Sequence, residues 1–144
     1  REDFEVRVES VDRVLAARRE MGRAFQRLPE RIQRALLTNH VPLAEIEDIV
    51  RARISGETLE QEARMRELEL RYFRATRGLL VLLHEYRGEW TWNPETAWID
   101  TDSAVLYCEL EVLREELVEA GDSREAAKRR FHRQIQRRVG RPPR

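Results

Sequence analysis

Residues 58–86, TLEQEARMRELELRYFRATRGLLVLLHEY, decide the fold. Thr58 and Gln61 match the capping box that opens a helix. Behind them, apolar residues recur in steps of three, four and seven, which is the spacing of a helix face that packs on other helices. The stretch predicts one long helix over about 58–87, whose seam is Met65, Leu68, Tyr72, Leu79, Leu82 or Leu83, and Tyr86.

Residues 79–83 of this helix are apolar on every side. A helix that is apolar all round is enclosed by other parts of the protein. We therefore expect this segment at the centre of the core or at a contact with another chain. Its candidate partner-binding residues are Leu79, Leu80, Val81 and Leu83.

The rest of the sequence predicts an all-α protein. With only six glycines and five prolines in 144 residues, the composition disfavours β-sandwiches and disorder. The charged fraction of 38% suits long helices whose outer faces carry arginine and glutamate. We expect an elongated helical bundle that forms one domain over residues 10–144, with further helices at about 10–38, 42–54, 102–120 and 123–139.

Four positions should interrupt the helices. Pro29 begins a new segment or kinks the first helix, because proline fits best in a first helical turn. His40 lies in a turn, and Ser55 ends the following helix. Gly121 is expected just beyond a helix end. The short link that follows it implies an antiparallel helical hairpin at the C-terminus.

The N-terminal residues have a different pattern. Phe4, Val6 and Val8 alternate with polar residues, which is the period of a strand. A strand this short forms no sheet by itself. We therefore expect residues 1–9 to form a short extended arm that docks on a neighbour.

Cysteine content and hydropathy limit the cellular locations that we expect for the chain. Cys108 is the only cysteine, which excludes an internal disulfide, and we expect it to be a small core residue. The sequence has no run of 18 apolar residues, so no membrane span is expected. Residues 1–20 are too charged for a signal peptide. These features favour an intracellular (cytoplasmic) location or the interior of a virion.

The charge changes sign along the C-terminal third. Residues 93–122 hold nine acidic residues and one arginine, and residues 123–144 hold nine basic residues and one glutamate. The predicted hairpin would bring the two sets together, so we interpret them first as complementary within the chain. Arginines left over are candidates for nucleic-acid binding. The candidates are Arg129, Arg130, Arg133, Arg137, Arg138 and Arg141.

Three tryptophans, Trp90, Trp92 and Trp98, lie between predicted helices. Asn93 and Pro94 have the pattern of an N-cap and a first helical residue, which predicts a short helix through Trp98. Tryptophan is enriched in interface hot spots, and Trp90 and Trp92 would share one face of an extended segment. The rings are candidates for binding a partner or, alternatively, for covering the end of the bundle.

The segment from Arg77 to Tyr86, RGLLVLLHEY, is similar to the Arg-x(4–6)-His motif of HEPN domains. Its ending resembles the His-x-Tyr sequence of some HEPN toxin–antitoxin pairs. The resemblance implies an all-helical fold that cleaves RNA. It also implies that His84 does acid–base work on a phosphodiester while Arg77 stabilises the developing charge.

No residue pattern indicates a metal or a cofactor. The histidines show no metal-ligand spacing with one another or with Cys108, and residues 109–119 lack the Glu-x-x-His pattern of di-metal bundles. The sequence favours a non-enzymatic assembly subunit that binds a protein partner or itself, such as a component of a virion or a nucleoprotein particle. The alternatives are a nucleic-acid-binding helical protein and a HEPN-like ribonuclease.

Overall fold

Residues 2–53 and 56–139 are described by a computed structural model, with the backbone alone described at residues 2, 52, 53, 57, 58 and 134–139. The fold is all-α, as predicted, with one small β-hairpin. In chain order the elements are α1 (Glu2–Gln26), α2 (Leu28–Thr38), α3 (Leu43–Arg53), α4 (Gly56–Glu85), β1 (Trp90–Asn93), β2 (Trp98–Thr101) and α5 (Ala104–Val139).

Helix α4 is the centre of the molecule, because α1 and α5 both pack along it. Ion pairs tie the outer helices to it: Arg71 of α4 contacts Glu119 of α5 at 2.6 Å, and Arg18 of α1 contacts Glu69 of α4 at 3.1 Å. Helices α2 and α3 pack on each other, and α2 also contacts α1. The result is a three-helix body that carries a separate pair of short helices.

The main core cluster lies where α4, β2 and α5 meet. Its buried residues are Leu82, Leu83, Ile99, Leu106 and Leu110. The prediction that residues 79–83 lie at the core centre is confirmed for Leu82 and Leu83, and Leu79 packs against the same cluster. Helix α4 begins at Gly56, two residues before the predicted cap Thr58.

The prediction of an extended N-terminal arm is wrong, since α1 is already helical at Glu2. Phe4 and Val8 are half-buried, and they continue without a break into Val11 and the buried Leu15. These steps of four, three and four place all four residues on one helix face. Val6 is 54% exposed on the other side. The alternation of three apolar residues was therefore part of a helical pattern.

The predicted C-terminal hairpin is also wrong, because α5 runs unbroken for 36 residues through Gly121. Gly121 does not adopt the left-handed conformation of a helix-ending glycine. The apolar stripe of α5 continues on both sides of it, through Leu117, Ala120, Ala127 and Phe131. Packing of this stripe on α4 outweighs the cost of one helical glycine, which is about 1 kcal/mol.

The short helix predicted through Trp98 is replaced by the β1–β2 hairpin, in which Asn93 pairs with Trp98. Asn93 does make the predicted cap contacts: its Oδ1 accepts hydrogen bonds from the backbone N–H groups of Glu95 (2.9 Å) and Thr96 (3.3 Å). The helix does not continue because Ala97 adopts a left-handed conformation, with φ 51°. That residue turns the chain back into the second strand.

Two of the predicted interruptions are confirmed. Pro29 lies in the first turn of α2, which follows α1 directly. His40 has a left-handed backbone, with φ 58°, in the turn between α2 and α3. The break predicted at Ser55 lies outside the described residues.

Candidate interaction surfaces

One side of α5 is buried against the bundle and the opposite side is open. The buried stripe is formed by Leu106, Leu110, Leu113, Leu117 and Ala120. At 100° per residue, the stripe on the opposite side follows steps of four, three, four, four, three and four. We call it the α5 outer face, and it consists of the half-buried Glu111 and the exposed Glu115, Val118, Asp122, Ala126, Arg129 and Arg133. Ala126 lies at its margin, where it also borders a groove between α5 and α4.

The α5 outer face is acidic in its first half and basic in its second. Glu115, Asp122, Arg129 and Arg133 form no ion pair with any described side chain, whereas Glu111 contacts Arg114 at 3.3 Å. Glu115 and Arg129 are separated by about 21 Å of helix, which exceeds the screening length of about 8 Å at physiological salt. The two halves therefore do not neutralise each other within one helix.

The same part of α5 carries Lys128, Arg130 and His132 beside the outer face. Lys128 donates a hydrogen bond to Glu125 at 3.0 Å, and this bond lowers the pKa of the Glu125 carboxyl. Arg129, Arg130 and Arg133 are exposed. Of the remaining nucleic-acid candidates, Arg137 and Arg138 lie in the part of α5 with only its backbone described, and Arg141 lies outside the described residues.

Two of the three tryptophans pack against other parts of the protein, and the third is exposed. Trp90 donates a hydrogen bond from Nε1 to the backbone oxygen of Leu83 at 2.9 Å and meets the ring of Phe4 edge-on. The half-buried Trp98 lies under the guanidinium of Arg114, 5.4 Å from the ring centroid. Trp92 is 58% exposed. Of the three candidate rings, Trp92 is therefore the exposed one.

The candidate partner-binding residues on α4 also differ in how far they are buried. Leu83 is buried in the core, while Leu80 and Val81 are half-buried. Val81 lines an apolar groove of about 520 Å³ between α4 and α5, together with Gly78, Val112 and Cys108. Cys108 is exposed there, so its prediction as a core residue is wrong. Val81 is the candidate that a docking chain could reach from this groove.

Arg77 and His84, the residues of the HEPN-like motif, have separate surroundings. The Nε of Arg77 donates a hydrogen bond of 2.7 Å to Asp12 of α1, and this bond, with the charge of Asp12, raises the pKa of the guanidinium. The ring of His84 lies 5.9 Å from that of Phe4, and its Nδ1 is buried without a hydrogen-bond partner among the described residues. RNA cleavage by this pair stays a prediction.

Within residues 2–53 and 56–139, no three His, Cys, Asp or Glu side chains are arranged to hold a metal ion. In the same residues, no helix combines the length and apolarity needed to cross a membrane. No family model, curated protein or solved structure matches the chain.

Proposed function

We propose that the chain is a non-enzymatic helical interaction subunit that assembles with itself or with a protein partner in a larger complex. The observation that carries this proposal is its large surface. The chain of 17.2 kDa exposes 11086 Å², whereas a compact monomer of this mass exposes about 7,800 Å². The excess is larger than the roughly 800 Å² that each partner buries in a standard interface, so the chain has surface to bury against another molecule.

The distribution of apolar side chains supports the same proposal. Nine hydrophobic residues are buried in the described part of the chain, and eleven large ones are exposed. A single exposed apolar residue is ordinary, but here they occur on α1, α2, α3 and α5. Examples are Met21, Leu37, Leu43, Val105 and Val112, which are 44–60% exposed.

Light scattering on the purified chain, combined with native mass spectrometry, tests this proposal. We expect a mass that is a multiple of 17.2 kDa, or the mass of a complex with a protein that co-purifies. A monomer at every concentration, with no partner recovered by pull-down, would contradict it.

Nucleic-acid binding is a second candidate, supported by the continuity of α5. Because α5 is continuous, its acidic first half does not fold back over its basic second half, and Arg129, Arg130 and Arg133 are exposed. Contacts of arginine with phosphate release counterions, so affinity should fall steeply as salt rises. Replacing the three arginines with alanine should weaken binding of a labelled RNA or DNA. Absent or salt-independent binding excludes this function.

A further inference from the structure

The residues of the α5 outer face are spaced symmetrically about Asp122. The charged residues before Asp122 are acidic, and those after it are basic. The steps of four, three and four are the same in both directions from Asp122. Glu115 lies as far before Asp122 as Arg129 lies after it, and the same relation joins Glu111 to Arg133. Val118 and the small Ala126 form the third mirrored pair. Every acid on one side therefore has a base at the matching position on the other.

Such a pattern is satisfied by a second copy of the same helix placed antiparallel to the first. The two ends of one straight helix cannot meet, so the acidic half and the basic half of the outer face of a single α5 stay apart. In an antiparallel pair, the helices run in opposite directions about a twofold axis at Asp122. Each acidic half then lies against the basic half of the other copy.

We infer that the chain forms a twofold-symmetric dimer through the α5 outer face, with α5 antiparallel to α5 of a second copy. This inference rests on the proposed function and names the partner. In the dimer Glu115 faces Arg129 of the other copy, and Glu111 faces Arg133. Each contact occurs twice, as the symmetry requires.

Charge excludes a parallel, in-register pairing of this face with itself. A parallel pair in register would place Glu115 against Glu115 and Arg129 against Arg129, and like charges across a helical seam repel. In the antiparallel pair, Asp122 facing its own copy at the axis is the like-charge contact on the stripe. Four opposite-charge contacts surround it.

Apolar groups on the same side of α5 supply area for the contact. Val118 is 57% exposed and faces Ala126 of the other copy. A standard interface buries about 800 Å² on each partner, and the surface excess of this chain is about 3,300 Å². One such dimer uses only part of the excess.

Two charge-reversed variants test the inference by sedimentation equilibrium. One carries Glu111→Arg and Glu115→Arg, and the other carries Arg129→Glu and Arg133→Glu. Each variant alone turns all four attractions into repulsions, so we expect its dimer dissociation constant to rise about 100-fold. An equimolar mixture of the two restores every opposite-charge contact, so it should form a heterodimer as tight as the wild type.

A matched control carries Glu45→Arg and Glu47→Arg on the exposed side of α3, and should dimerise like the wild type. Circular dichroism verifies that each variant is folded. Loss of the dimer in each reversed variant and its return in the mixture support the inference. An oligomer whose dissociation constant is unchanged in both charge-reversed variants overturns the inference and leaves the proposed function intact. A monomeric wild-type chain whose Arg129 and Arg133 bind RNA also overturns it.

Discussion

Gly121 shows why local signals placed a helix end where the protein has none. Gly121, Asp122 and Ser123 are all residues that favour turns and caps, and they follow a helical stretch. The apolar stripe that continues from Ala120 to Phe131 depends on a surface of α4 about fifty residues away. Burial along that surface is stronger than the preference of one glycine.

Replacing Gly121 with alanine should therefore stabilise the protein. Alanine is the better helix former, and a Cβ at this position would meet Tyr72 at an ordinary contact distance of 4.0 Å. We expect the free energy of unfolding to rise by about 0.5–1 kcal/mol, measured by urea denaturation. A loss of similar size would mean that Gly121 ends a helix.

Gly88 provides the matched control for this substitution. Its φ of 95° is strained for any residue with a side chain, although nothing lies within 4 Å of a Cβ there. Gly88→Ala should therefore lower the free energy of unfolding by about 1 kcal/mol. Opposite signs at the two glycines would separate the effect of helix propensity from that of backbone strain.

At the scale of elements, α4 was predictable and α1 was only partly so. The apolar seam of α4 is long enough to identify a helix and its buried end without any knowledge of its neighbours. The first residues of α1 offer only three apolar positions, and their alternation has the period of a strand. The continuation through Val11 and Leu15 decides in favour of the helix.

Phe4→Ala tests whether the start of α1 belongs to the bundle. Phe4 is half-buried against the core cluster, with its ring near His84 and Trp90. Its removal should lower the free energy of unfolding by about 1–3 kcal/mol. The control Val6→Ala, at a position that is 54% exposed, should change it by less than about 0.5 kcal/mol. Equal and negligible effects would point to an arm outside the bundle.

At the scale of the whole molecule, the sequence predicted the fold class correctly. It predicted less well which helices are continuous and which are joined by a turn. The all-α class and the interruptions at Pro29 and His40 follow from composition, periodicity and proline chemistry, which are local properties. The sequence also shows that charge is split about residue 122. Whether the two halves meet within one chain or across two depends on the continuity of α5, which is a tertiary property.

The interaction surface that we propose depends on that continuity. A hairpin would have used the opposite charges to pair its own two helices. A continuous α5 leaves the same charges in line on an open face, where Glu115 and Arg129 have no ion-pair partner among the described residues. The mirrored spacing is visible in the sequence, but these residues share one helix face only if α5 is a single unbroken helix.

Disulfide formation between two α5 helices tests the proposed dimer most directly. In a chain carrying Cys108→Ser and Asp122→Cys, the introduced thiols lie at the twofold axis, within reach of a disulfide. In the wild-type chain the two Cys108 residues lie about 42 Å apart in the antiparallel dimer. Under mild oxidation we predict a covalent dimer for the variant and none for the wild type. Cross-linking of wild-type Cys108, or a variant that stays monomeric, would contradict the account.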